Sequence, residues 1–128
     1  MRILLDTHIF IWWDNDPDQL SAQAKVLCQD PANTLVLSVV SVWEMQIKQQ
    51  LGKLTLRLPL SELIEDQQKT NGVEILPISL AHVLALEALP PHHKDPFDRL
   101  LIAQANAAGI GLLSVDPVFR QYTVKLLI

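Results

Sequence analysis

Four acidic residues stand where the chain leaves an apolar run or opens a helix, and together they could hold a hard cation. Asp6 closes the run Arg2-Ile3-Leu4-Leu5. Glu44 follows Leu35-Val36-Leu37-Ser38 in what reads as the first turn of the next helix. Asp98 lies in the first turn of a helix opened by Asp95-Pro96, and Asp116 follows Leu112-Leu113-Ser114-Val115. Two carboxylates ~4 Å apart repel by something like 4 kcal/mol at an effective dielectric near 20, so a cluster of them needs protons or cations to persist. All-oxygen ligation favours Mg²⁺ or Mn²⁺ over zinc. Such ions activate water and offset charge on a phosphodiester.

Each acid also has an ordinary structural role open to it. Ser41-Val42-Trp43-Glu44 fits a capping box, and Glu44 stands four residues before Lys48, the spacing of a helix-surface ion pair. Asp95 is a natural N-cap with Pro96 in the first helical position, which puts Asp98 at N3 beside the helix dipole. Asp116-Pro117 repeats that arrangement, and Asp6 is able to cap whatever helix follows it. Only a shared location gives the four a joint meaning.

The elements that must position them alternate. Short apolar strands are expected at 2–5, 35–38, 73–77 and 112–115, with a short fifth at 124–127. Between them, helical patterns run over 8–13, 21–29, 41–51, 60–71, 79–88 and 96–108. In the second of these, Ala22 and Val26 form the stripe with Ala24 or Leu27. In the third, the stripe is Val40, Trp43, Ile47 and Leu51. Strands alternating with helices imply a mainly parallel sheet of four to five strands covered on both faces. In such a sheet the C-terminal ends of the strands and the N-terminal ends of the helices share one edge, where ligands bind. All four acids fall on that edge. Asp98 is in phase with Leu101, Ile102 and Ala105, so it ends the core-facing stripe of its helix.

Composition sets the outer limits. The 128 residues suit a single domain over 1–128, with 49% hydrophobic and 19% charged residues and no low-complexity tract. No run is apolar enough to span a membrane, and the N-terminal run is cut by Asp6, so a soluble cytoplasmic protein is expected. Cys28 is the lone cysteine, which removes disulfides and Cys-rich zinc sites. The net charge of −4 runs against the basic surface usual in nucleic-acid binders, unless a metal and grouped Lys/Arg reverse the sign locally.

Other constellations are poorer. His82, His92 and His93 lack zinc-ligand spacing and read as solvent-exposed, and His8 either joins the acids or packs beneath them. Ser38, Ser41 and Ser114 sit in no Gly-x-Ser-x-Gly context, and no glycine-rich phosphate loop is present. Trp12, Trp13 and Trp43 read as core. A phosphoacceptor receiver domain needs an Asp ending the third strand, where this chain has Leu76-Pro77-Ile78-Ser79.

Three segments resemble one family. Leu4-Leu5-Asp6-Thr7-His8, Ser41-Val42-Trp43-Glu44 and His93-Lys94-Asp95-Pro96-Phe97-Asp98-Arg99-Leu100-Leu101-Ile102-Ala103-Gln104-Ala105 look like PIN-domain proteins, and the likeness extends to Leu113-Ser114-Val115-Asp116. The short stand-alone form resembles the VapC-type toxins of type II toxin–antitoxin pairs. This resemblance implies a three-layer α/β/α fold and an Mg²⁺- or Mn²⁺-dependent endoribonuclease. It also implies a homodimer inhibited by a cognate antitoxin. By position it makes Asp6, Glu44, Asp98 and Asp116 the metal-binding and catalytic acids. Thr7 and Ser114 orient carboxylates, Asp95 stands behind the site as a cap, and Lys48 and Arg99 are candidates for phosphate contact, though each suits a surface salt bridge equally. The implied chemistry is attack of metal-activated water on single-stranded or looped RNA. The alternative is an inactive PIN-like interaction module whose acids are only helix caps.

Overall fold

The computed structural model describes residues 1–127. Its centre is a five-stranded parallel sheet built from β1 (Arg2–Leu5), β2 (Thr34–Ser38), β3 (Glu74–Leu76), β4 (Gly111–Leu113) and β5 (Leu126–Leu127), in the spatial order β3-β2-β1-β4-β5. Central β1 pairs Leu4 with Val36 on one side and with Leu112 on the other. It therefore needs apolar residues on both faces, which explains its unbroken hydrophobic run.

The pleat sorts those residues. Ile3 and Leu5 join Ile9, Phe10, Leu37, Met45 and Leu63 in one buried cluster, whereas Leu4 joins Val36, Val40, Leu101, Ile102, Leu112 and Phe119 in another. Period-two alternation along one strand thus feeds two cores, one on each side of the sheet. This is the three-layer α/β/α arrangement expected from the sequence.

Helices α1 (Thr7–Asn15) and α2 (Ala22–Gln29) link β1 to β2, α3 (Val39–Gln50) and α4 (Leu60–Asn71) link β2 to β3, and α5 (Leu80–Leu84) and α6 (Pro96–Ala108) link β3 to β4. The chain builds outward from β1 to β3, then crosses to start again at β4. The strand order reverses between β1 and β4, so the loops leaving these two neighbours diverge and open a crevice at the strand ends. Helix α6 starts with Asp95 as N-cap and Pro96 behind it, and ends at Gly109 in the left-handed conformation that a residue with a Cβ adopts at a cost. A buried polar knot fixes it against the sheet. Ser38 Oγ caps α3 at Val40 N and donates to Gln104 Oε1, while Gln104 Nε2 donates to Pro77 O at 3.2 Å.

Several expectations are corrected. Helix α3 begins two residues early, at Val39, because Ser38 rather than Ser41 supplies the cap. The capping box at Ser41 is absent, and Glu44 sits in the second turn. The buried face is Val40, Ser41, Glu44 and Met45, while Trp43 and Leu51 are exposed. In α2 the inward pair is Ala24 and Cys28, and Val26 points to solvent. The helix expected over 79–88 is α-helical only to Leu84 and continues as a 3₁₀ turn over Ala85–Ala88. Strand β4 stops at Leu113, leaving Ser114 and Val115 beyond its end.

Candidate active site

The last residue before α1 begins the site. Asp6 N still bonds Leu113 O at 3.0 Å, so the backbone remains tied to β4 while the side chain turns to cap the helix. Asp6 Oδ1 accepts from Thr7 N at 2.8 Å, and Oδ2 accepts from Ser114 Oγ at 2.8 Å. Both oxygens are thus held from opposite sides of the crevice. Ser114 in turn accepts from Asp116 N at 3.1 Å, which fixes its hydroxyl.

Glu44 reaches the same edge from α3. Thr7 Oγ1 lies 2.7 Å from Glu44 Oε1 and 2.9 Å from Ser41 Oγ. An ionised carboxylate only accepts, so Thr7 donates to Glu44 and accepts from Ser41. Glu44 Oε2 accepts from Lys48 Nζ at 2.7 Å.

Asp98 comes from the first turn of α6, and its Oδ2 lies 2.9 Å from His93 Nε2. The three acids are nearly closed to water: Asp6 and Glu44 are 5% exposed and Asp98 is 9% exposed. Burial pushes the Asp98 carboxyl up to about 7. The charges of Asp6, Asp95 and Glu44 add to that rise, and the His93 hydrogen bond opposes it. The dipole of α6, worth up to about 2 kcal/mol in favourable partly buried geometries, does not outweigh them. Asp6 is also raised, first by burial, with the Ser114 and Thr7 hydrogen bonds pulling the other way and Glu44 adding to the rise. Asp98 thus feels the charges of Asp6, Asp95 and Glu44, and Asp6 feels those of His8 and Glu44.

The residues named from sequence divide clearly. Asp6, Glu44 and Asp98 lie close enough for the charges of Asp6 and Glu44 to act on Asp98, with Thr7 hydrogen-bonded to Glu44 and Ser114 to Asp6. The group among the described residues whose ligand atoms lie within 4.8 Å of one another is His93, Asp95 and Asp98. Asp95 is the α6 cap, its Oδ1 accepting from Phe97 N at 2.9 Å and Asp98 N at 3.3 Å, and it also presses charge on Asp98. Asp116 is different. Its Oδ1 accepts from Val118 N at 3.0 Å at the start of a 3₁₀ turn (Pro117–Gln121), the residue is exposed, and its link to the other acids runs through its main-chain N–H and Ser114.

The two basic candidates also part ways. Lys48 is paired with Glu44 at the rim. The guanidinium of Arg99 is taken up by the chain itself: it donates to Pro90 O at 2.9 Å and, at 3.3–3.5 Å, to the carbonyls of Leu86, Leu89 and His93. Arg99 is a clamp on the loop that carries His93 and, among the described residues, makes no surface salt bridge.

Two site residues escaped the sequence reading. Ser41 was absorbed into a helix cap, although its spacing three residues before Glu44 already put both on one helical face. The sequence pattern suggests a solvent histidine at 93, yet His93 is part-buried against Asp98, and His93, Asp95 and Asp98 each offer a ligand atom within 4.8 Å of the others. Its position five residues before Asp98, across a Lys-Asp-Pro corner, was the available signal. His8, by contrast, is exposed rather than packed beneath the acids.

Comparisons with known proteins agree with this architecture. The PIN domain family model matches residues 3–125. Ribonuclease VapC22 of Mycobacterium tuberculosis is 31% identical over 121 residues, covering 94% of this chain and 91% of that protein. Among solved structures, VapBC2 from Rickettsia felis bound to a DNA fragment from their promoter superposes with a TM-score of 0.71 at 17% identity, covering 98% of this chain and 97% of that one. A toxin–antitoxin complex from Klebsiella pneumoniae superposes with a TM-score of 0.62 at 18% identity, covering 98% and 96%. With the family pattern, the sheet order and the acidic edge in agreement, this chain belongs to the PIN domain family.

Proposed function

We propose that the chain is a divalent-metal-dependent endoribonuclease acting as the toxin of a toxin–antitoxin pair. The observation that carries this reading is the convergence of Asp6, Glu44 and Asp98 at one sheet edge, buried enough that Asp98 resists ionisation. Three carboxylates held largely apart from water, with Lys48 on Glu44 as their one lysine or arginine ion pair among the described residues, fit a hard dication, and the oxygen-only donors of these three residues suit Mg²⁺ or Mn²⁺. The similarity to Ribonuclease VapC22 over 94% of the chain supports RNA as the substrate.

In this reading Asp6, Glu44 and Asp98 hold the ion, and Asp116 enters only through its main-chain tie to Ser114. The ion, when bound, supplies water activation and neutralisation of charge on the phosphodiester. Ser114 and Thr7 fix the carboxylate orientations of Asp6 and Glu44. His93 Nε2 meets Asp98 Oδ2 at 2.9 Å, orients that oxygen and favours its ionised form. Lys48 pairs with Glu44 in the structure, and this reading gives it, once released, the contact to a phosphate oxygen. The reading extends to a homodimer and to inhibition by a partner antitoxin. The likeness to toxin–antitoxin complexes supports the antitoxin, and the exposed apolar residues Leu80, Val83 and Leu84 of α5 offer a protein-binding surface.

The test is to express the chain with and without the small open reading frame beside its gene and to sequence the RNA ends that accumulate. New RNA ends and growth arrest, relieved by the neighbour and lost in Asp6→Asn, are expected. Normal growth and unchanged RNA ends on expression of the chain alone would leave the acids as helix caps of an interaction module.

A further inference from the structure

The acidic edge has an aromatic neighbour that the hydrolytic machinery does not use. Trp43 is 53% exposed, an unusual state for the largest side chain of a small α/β domain. Its ring meets that of Phe97 edge to face, with centroids 5.1 Å apart and planes at 80°. Phe97 packs on the core cluster formed by α6 and the sheet. The contact therefore holds the indole in a set orientation while more than half of its surface stays in solvent.

The two partners also have telling neighbours. Trp43 precedes Glu44 in α3, and Phe97 precedes Asp98 in α6. The aromatic pair bridges the same two helices that carry these acids, which puts an exposed, oriented indole one residue along the chain from Glu44.

We propose that Trp43 is a stacking platform for an unpaired nucleobase beside the phosphodiester held at the acidic site. The proposal rests on the nuclease reading above and adds a binding residue to it. Charge argues for such a device. The chain carries −4 overall, and five of its ten Lys and Arg side chains (Arg2, Lys25, Lys48, Arg57 and Lys69) are already ion-paired. Phosphate contacts alone give weak binding to such a surface. Stacking on an aromatic ring adds affinity without sequence preference, because every base has a π-face. A paired base is already stacked in its duplex and cannot reach the indole, so the device selects looped or single-stranded RNA.

The test compares two fluorescein-labelled ten-nucleotide strands, an oligoadenylate and an abasic ribose-phosphate strand, by anisotropy in Ca²⁺ buffer. The proteins are the wild type, Trp43→Phe and Trp43→Ala, with the molar mass of each measured by light scattering. The wild type is expected to prefer the base-bearing strand by roughly 5- to 100-fold. Trp43→Phe should keep most of that preference, and Trp43→Ala should lose it with abasic binding unchanged. A base preference that survives in Trp43→Ala overturns the proposal and leaves the nuclease reading intact. If that survival comes with a fall in molar mass, the indole belongs to an interface with a second copy. Failure of the wild type to bind either strand overturns both readings.

Discussion

Thr7 Oγ1 donates to Glu44 Oε1 across 2.7 Å, joining the first residue of α1 to the second turn of α3 at the edge of the sheet. This bond explains how an acid from a helix interior comes to face an acid from a strand end. Hydrogen bonds to ligating carboxylates typically account for 10- to 100-fold in metal affinity. Thr7→Val keeps the shape and removes the donor. It is expected to weaken Mn²⁺ binding by about that factor in calorimetry, with Thr7→Ser recovering most of the loss. Equal Mn²⁺ affinity in Thr7→Val and wild type would show that Glu44 needs no such tether.

Asp98 makes metal-free stability depend on pH in a defined direction. Its carboxyl is raised from 3.8 to about 7 by burial and then by Asp6, Asp95 and Glu44. Between those values the folded chain binds more protons than the unfolded one, so this group's stabilising contribution is full below pH 3.8 and disappears as pH rises through 7. In EDTA, urea midpoints are expected to fall between pH 5 and pH 8, and Asp98→Asn is expected to flatten that fall. Mn²⁺ affinity should move oppositely, rising across the same window as the proton leaves. A wild-type midpoint that climbs from pH 5 to pH 8 would contradict the assignment.

Asp95 separates a cap from a charge. Its Oδ1 accepts from Phe97 N and Asp98 N, and loss of such a cap costs about 1 kcal/mol. Asp95→Ala should lose about that much in denaturant unfolding, whereas Asp95→Asn should keep the fold's stability. Asn at this position also removes one of the charges that raises Asp98, so the Asp98 titration followed by NMR should shift downward. An unmoved titration would confine Asp95 to its capping role.

Arg99 holds the loop between α5 and α6 by its carbonyls, including that of His93. Arg99→Ala is expected to destabilise the chain by about 1.5–3 kcal/mol, the range for hydrogen bonds to a charged group. Limited proteolysis should then begin between residues 85 and 94. Arg99→Lys rescues poorly, since one ammonium cannot reach carbonyls spread around a planar fork. Wild-type protease resistance in Arg99→Ala would remove the clamp from the account.

The sequence was most informative where a breaker and a cap bracket an element. Helix α4 runs over Leu60–Asn71 as read, because Gly72 ends it in the left-handed region, and α6 was marked by Asp95-Pro96 and Gly109 in the same way. Helix α3 was misplaced because Ser38 and Ser41 are both good caps. Which one acts depends on Ser38 also reaching Gln104, a partner 66 residues away. That slip turned the expected face and hid Trp43 in the core. Asp6, Glu44 and Asp98 were legible as a group through the geometry common to parallel sheets. His93 was not, since its contact with Asp98 depends on a loop folded by Arg99, and no local periodicity encodes such a clamp.

If Asp6, Glu44 and Asp98 form one metal-dependent nuclease centre, the most direct test is the cleavage of total RNA by purified protein in Mn²⁺, in Mg²⁺ and in EDTA, for wild type, Asp6→Asn and Asp98→Asn with folding checked by circular dichroism. Cleavage by the wild type with metal, abolished by EDTA and by either substitution in a folded protein, is the predicted result. Cleavage that persists in EDTA, or full activity in folded Asp98→Asn, would contradict it.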